Sequence, residues 1–239
     1  SMKAIKNKVL IRIDTLQKTK YAFQTGEQIV IERGYNFNLR EDRASMAYVI
    51  DSDQLPEGAP ILVHHLSVEE TYAVPYIHLF LTEEEIAEGY KIFSIPYDMV
   101  SAYFEDGVWK PCKDFLITQR IYEPYQGEIV GIPHQRIKRR LYVIRGEDNW
   151  DGQTRDLSGK VIVVLDNSDV EIIFHNEQHR EERVMRTRHR EILGIDEGMT
   201  KKVKNGLYLV GLSEDNCEPL NKNIQCQIQK NQQKNLLLQ

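Results

Sequence analysis

The chain has 239 residues, 41% of them hydrophobic and 28% charged, with a formal net charge of −5; this is the composition of a soluble globular protein, and no apolar run approaches the length of a membrane span. Charge is uneven, with 12 basic and 18 acidic side chains in residues 1–119 against 19 and 18 in the remainder, which argues against a general nucleic-acid binder and leaves room for a local basic patch in the second half. Three cysteines (Cys112, Cys217 and Cys226) without metal-type spacing, and no apolar leader, fit a reduced, cytoplasmic, unexported protein. Ser1-Met2 reads as a cloning remnant.

Residues 9–13 form the first predicted strand, entered from the turn Lys6-Asn7-Lys8. A long hydrophilic connection follows, and inside it lies the apolar triplet Ile29-Val30-Ile31. Connections of this length are usually functional or disordered. Strands are predicted over 47–51 and 60–65, joined by a turn at 53–58. An insert over 66–92 carries Thr82 and Glu85 at capping-box spacing, which predicts a single helical turn. A short strand or turn within 92–103 closes this half.

The second half repeats those landmarks in order. Lys113-Asp114-Phe115-Leu116-Ile117 answers Lys6-Asn7-Lys8-Val9-Leu10, and Tyr142-Val143-Ile144 answers Tyr48-Val49-Ile50. Val161-Ile162-Val163 is matched to Ile61-Leu62-Val63, Glu191-Ile192-Leu193 to Asp98-Met99-Val100, and Glu197-Gly198 to Asp106-Gly107. The connection after the opening strand is shorter here, yet it keeps an apolar element, Ile129-Val130-Gly131-Ile132, ahead of the basic run Arg136–Arg140. A third copy of the opening strand, Leu207-Tyr208-Leu209-Val210, precedes a Gln- and Asn-rich tail expected to be disordered or held by a partner. Short strands punctuated by turns, with almost no helical periodicity, place the fold in the all-β class. The repeat divides the chain into a domain over 1–110, a second over 111–200, and an extra strand with polar tail over 201–239. Each domain is expected to be a small barrel or sandwich with a hairpin insert.

No catalytic constellation is visible. Gly152 to Gly159-Lys160 has the wrong glycine spacing for a phosphate loop, and Val161 stands where Ser or Thr is required. Between His175 and His179 the glutamate is at 177, whereas a zinc protease needs it directly after the first histidine, and His64-His65 reads as structural. The basic runs 134–145 and 180–190 could form one face, but the second is interleaved with Glu181 and Glu182, and both are poor in stacking aromatics apart from Tyr142. Placement singles out the two triplets: the same apolar element sits inside the same polar connection in both repeats, as a docking anchor for a groove or sheet edge would.

The order of these landmarks resembles the GroES-type co-chaperonin family, in a tandem and divergent form. That family has an opening strand, a mobile loop with an Ile-Val-Leu-like triplet, two further strands, a roof hairpin and a closing apolar-Asp-Ile-Leu-like segment. Here Ile29-Val30-Ile31, Gly58–Val63 and Tyr97-Asp98-Met99-Val100 are similar to it, and in the second half Ser158–Val163 and Arg190–Ile195 are closer still. The glycine pair before the family triplet is missing before Ile29, and Gly127 stands alone in the second loop. The resemblance implies two GroES-like β-barrels that bind a GroEL-type chaperonin through Ile29, Val30, Ile31, Ile129, Val130 and Ile132, with unfolded client enclosed and a homo-oligomeric ring as the working form. It implies no enzyme activity, cofactor, metal or membrane partner. The spare strand over 206–210 is expected at an intersubunit seam. Two other classes stand beside it: a non-catalytic β-rich structural or interaction module, of viral or other origin, and a nucleic-acid-binding barrel using the basic second half.

Overall fold

In a computed structural model of the protein, residues 3–14, 16–22, 28–34, 46–68, 70–74, 78, 80–124, 126–127, 134–150, 152–166, 168–175 and 181–205 are described. The chain is all-β with short helices, and it divides into two compact units, Ser1–Glu105 with Ile172–Glu182 and Asp106–Glu171 with Arg183–Gln239. The first boundary falls after Glu105, a few residues earlier than the sequence suggested.

The first unit holds β1 (Lys8–Asp14), β2 (Leu16–Ala22), β3 (Gln28–Gly34), β4 (Met46–Ser52), β5 (Pro60–Val63), α1 (Glu83–Ala87), β6 (Tyr90–Pro96) and β7 (Val100–Glu105). Its main sheet runs β6-β1-β4-β5-β7, while β2 and β3 form a separate two-stranded ribbon. Val9, Leu10, Ile11 and Ile13 are all buried, so β1 is covered on both faces, and its sequence carries the unbroken apolar run Val9-Leu10-Ile11 in place of a strict alternation. Leu10, Leu81 and Ile92 form one core cluster with Ile50, Phe80 and Tyr90 packed against it. The capping box forms as its spacing predicts: the Glu85 amide donates to the Thr82 hydroxyl at 3.1 Å, and the Thr82 amide to the Glu85 carboxylate at 3.2 Å.

The second unit holds β8 (Val108–Pro111), β9 (Phe115–Pro124), β10 (His134–Arg145), β11 (Glu147–Trp150), β12 (Gln153–Asp156), β13 (Val161–Val164), β14 (Val170–His175, at the boundary between units), β15 (Glu181–Arg188), β16 (Ile192–Ile195) and α2 (Glu197–Lys204). Its sheet runs β15-β9-β10-β13-β16, and β11 pairs with β12 as a hairpin. Leu116, Leu141, Val143, Leu157, Ile162 and Val164 form one core cluster, and Ile121, Val161 and Val203 another. Helix α2 closes the second cluster. Its cap residue Asp196 accepts from the Met199 amide at 2.9 Å, and the Thr200 hydroxyl accepts the Val161 amide at 2.9 Å.

Five strands of each sheet, β6-β1-β4-β5-β7 and β15-β9-β10-β13-β16, correspond in order, and their loop hydrogen bonds repeat. The Lys8 amide donates to the Ile5 carbonyl and the Phe115 amide to the Cys112 carbonyl, both at 3.0 Å. Val49 exchanges bonds with Gly58 and Ala59 as Val143 does with Gly159 and Lys160, and both glycines have φ near +80° (77° and 80°). The buried Ser67 and Ser168 hydroxyls donate to the His64 and Leu165 carbonyls at 2.5 and 2.7 Å. The duplication is therefore a property of the backbone as well as of the sequence.

Four expectations need correction. The sheets are not closed into barrels: among the described residues each strand order is linear. Closure needs tilted, staggered strands, and β5, β13 and β16 have four residues each. Two sequence matches slip by one residue, because Ile61 pairs with Tyr103 as Ile162 pairs with Ile195, and Val63 with Val100 as Val164 with Ile192. Such a slip exchanges the two faces of a strand. Asp106-Gly107 takes φ of 55° and 78°, the geometry of a two-residue hairpin turn, whereas Glu197-Gly198 opens α2. Residues 201–204 are the end of that helix, with Val203 buried, and are not part of a tail. The third strand copy over 206–210 lies outside the described residues.

Candidate functional site

Both units place a connection at the same point, between the first strand of the sheet and its antiparallel neighbour. In the first unit this connection carries the β2–β3 ribbon. Ile29, Val30 and Ile31 occupy the middle of β3, opposite Tyr21, Lys20 and Thr19. The triplet thus sits in a paired strand instead of an irregular loop, as its β-branched residues favour and as its backbone donors and acceptors require. In the second unit β9 and β10 themselves extend as a ribbon, pairing Tyr122 with Arg136, Glu123 with Gln135 and Pro124 with His134. Ile129, Val130 and Ile132 belong to the connection beyond Pro124 and lie outside the described residues.

The root of that second ribbon is fixed by ion pairs. Arg120 Nε and Arg136 Nη2 donate to the two oxygens of Asp169 at 2.5 and 2.9 Å, and the Asp169 side chain is only 3% exposed. Burial pushes this carboxyl up, but the bonds from Arg120 and Arg136 outweigh it and hold it below the ordinary carboxylate value. Above the ribbon root, register shifts between Arg136 and Leu141, and Arg139 takes φ of 60° within the bulge. Arg139 Nε donates to the Val164 carbonyl at 3.3 Å and lies 3.6 Å from Asp166, while Arg140 Nε donates to Asp196 at 3.1 Å. The basic run that suggested a phosphate-binding face is therefore engaged largely by the unit's own acids.

Other cations are placed differently. Ile117 pairs with Arg145 on β10 and with Arg186 on β15, so both arginines share its face of the sheet. Phe115, two residues back on that face, carries the Arg186 and Arg188 guanidiniums at 5.1 and 5.6 Å from its ring centroid. Arg186 is 8% exposed, and burial first, then Arg188, lowers its pKa to about 10 against the opposing pull of Glu191. Beside Phe115 opens a cleft of about 530 Å³, lined by the cations Lys110, Lys113 and Arg145 and by the acids Glu147 and Asp156. Sequence reasoning placed Arg145 in a basic run without a role. The signal was present, because the matched tripeptides are followed by Asp51 in one repeat and Arg145 in the other.

Two of the remaining motifs, His64 and the glycine pair, are structural. His64 Nδ1 accepts the Leu66 amide at 3.2 Å, and Gly152 and Gly159 are turn residues with φ of 75° and 80°. His175 lies on β14, and His179 is outside the described residues. Among the described residues no group of His, Cys, Asp or Glu could hold a metal ion, and no helix is long and apolar enough to cross a membrane. No protein-family model matches the chain, and neither a curated protein nor a solved structure matches it.

Proposed function

We propose that the protein is a co-chaperonin-like cap, working in the cytoplasm as a homo-oligomeric ring, that docks on a GroEL-type chaperonin through its two insert connections and assists the folding of an enclosed client. One correspondence supports this: five strands of each sheet share an order, and in the sequence an apolar element, Ile29-Val30-Ile31 or Ile129-Val130-Gly131-Ile132, falls between β1 and β4 or between β9 and β10. Duplicated placement is what a multivalent binder uses, since several weak anchors on one particle raise avidity without any new contact. A β-branched triplet offers the two modes such an anchor needs, side chains for an apolar groove and backbone for an open edge. The engagement of Arg120, Arg136, Arg139 and Arg140 by acids weighs against the nucleic-acid alternative. No catalytic step in this chain and no cofactor is needed for capping.

The test is the double variant Ile29→Asp with Ile129→Asp, assayed for co-sedimentation with a GroEL-type chaperonin in ADP or ATP. Burying two unpaired carboxylates at the contact is expected to abolish binding, with an unchanged circular dichroism spectrum. Undiminished binding by the double variant would remove the triplets from the interface.

A further inference from the structure

The repeat supplies an internal comparison for the cleft beside Phe115. In the first unit the same corner is closed by a carboxylate: Asp51 accepts the Ala4 amide at 2.6 Å and the Lys3 ammonium at 3.1 Å. Those bonds hold Asp51 below the ordinary carboxylate value. Asp51 pairs with Leu10 as Arg145 pairs with Ile117, which makes Arg145 its counterpart. The matched opening segments put Lys110 at the position of Lys3, Pro111 at that of Ala4 and Lys113 at that of Lys6.

The charge of the corner is thus inverted in the second unit, and proline removes the amide that Asp51 used. Arg145 Nε is buried with no hydrogen-bond acceptor among the described residues. A buried guanidinium nitrogen left in this way carries a desolvation cost that a bound anion would relieve. Arg186 and Arg188 do not line the cleft, but they lie over the ring of Phe115, which does, and add to the positive field there. Lys110 is held by Asp106 at 2.9 Å, which leaves Lys113 as the exposed partner for Arg145.

The lining also holds two acids, paired across the β11–β12 hairpin: Glu147 is exposed, and Asp156 accepts the Ser158 amide at 2.9 Å. A bare anion gains nothing from these carboxylates, and a polyanion filling the cleft is repelled by them. A ligand that carries both a negative charge and hydroxyl donors satisfies both kinds of group, and carboxylates are standard acceptors for sugar hydroxyls. The cleft's volume is that of a small-molecule site.

We propose that this cleft binds a phosphorylated, hydroxyl-bearing small molecule, a sugar phosphate or a nucleotide, with its phosphate at Arg145 and Lys113 and its hydroxyls at Glu147 and Asp156. The inference is independent of chaperonin docking.

Isothermal titration of the full chain with ribose 5-phosphate, AMP and inorganic phosphate tests it. At least one ester is expected to bind saturably and more tightly than phosphate, and the comparison of ribose 5-phosphate with AMP separates a sugar-phosphate site from a nucleotide site. Arg145→Asp should weaken ester binding about tenfold or more, the loss of one charge-assisted contact. Its urea midpoint should hold or rise, because the new carboxylate can engage Lys110 as Asp51 engages Lys3. Arg145→Gln, which keeps much of the side-chain stem, should weaken ester binding in the same direction without the added negative charge. Glu147→Gln should weaken the ester and leave phosphate equal or stronger. No ester binding at concentrations up to about 10 mM, phosphate binding as tightly as the esters, or ester affinity unmoved by both Arg145 variants would each overturn the assignment.

Discussion

Replacing Asp169 by asparagine removes the charge that ties β9, β10 and the turn after β13 together, at the root of the second ribbon. The carboxylate is 3% exposed and accepts two guanidinium bonds, at 2.5 and 2.9 Å. Hydrogen bonds to charged groups contribute about 1.5–3 kcal/mol each, and breaking a buried pair costs about 3–5 kcal/mol. The arginine side chains are 31% and 34% exposed, so water recovers part of the loss, and a net cost of about 2–4 kcal/mol is expected. Urea unfolding followed by circular dichroism reads it directly. The pH dependence has a definite sign: because the folded-state pKa is lowered, the contribution is complete above the unfolded value and is lost as pH falls through the folded one. The gap between wild type and Asp169→Asn should therefore be constant from about pH 7 to pH 5 and shrink below about pH 4. Faster amide exchange at Tyr122, Glu123 and residues 134–136 should accompany the substitution. A destabilisation under about 0.5 kcal/mol, the ordinary range for surface changes, would refute the idea that this triad fixes the ribbon.

Further substitutions test the packing. Gly146 has φ of 142°, and an added Cβ would collide with Leu116 Cδ2 and lie 3.3 Å from Leu116 Cα. Gly146→Ala should cost about 2–4 kcal/mol in a urea melt, from strain and overpacking together. Asp196→Ala removes the α2 cap and the Arg140 bond, and should cost about 1–2 kcal/mol. The Met199 amide first, and Arg140 after it, hold the Asp196 carboxyl low against burial, so this contribution too is lost only as pH falls through the depressed value. Thr200→Val leaves the Val161 amide without its acceptor, and a loss of about 1–3 kcal/mol with increased exchange at Val161 is expected.

The repeat was legible in the sequence where strands begin alike. Lys6-Asn7-Lys8 against Lys113-Asp114-Phe115, and Tyr48-Val49-Ile50 against Tyr142-Val143-Ile144, are structural equivalents as read. Apolar tripeptides such as Ile61-Leu62-Val63 match equally well one residue along, because an all-apolar run carries no alternation to fix register, and only backbone pairing resolved them. Helix α2 was missed because its eight residues present little more than Met199, Thr200 and Val203 to the core, too short a stretch for a helical period to stand out. The basic run looked like a surface because its partners Asp166, Asp169 and Asp196 are 27, 33 and 56 residues from Arg139, Arg136 and Arg140 in the chain. The charge inversion from Asp51 to Arg145 lay in plain view after each matched tripeptide, yet it acquires meaning only once Lys3 and Ala4 are seen to bond to Asp51.

The most direct measurement for the docking proposal is native mass spectrometry of the purified chain, alone and mixed with a GroEL-type chaperonin with no nucleotide, with ADP and with ATP. The account predicts a closed homo-oligomer that joins the chaperonin when nucleotide is present, in a stoichiometry that pairs the two units of each chain with chaperonin subunits. A chain that stays apart from the chaperonin in every nucleotide state would contradict it.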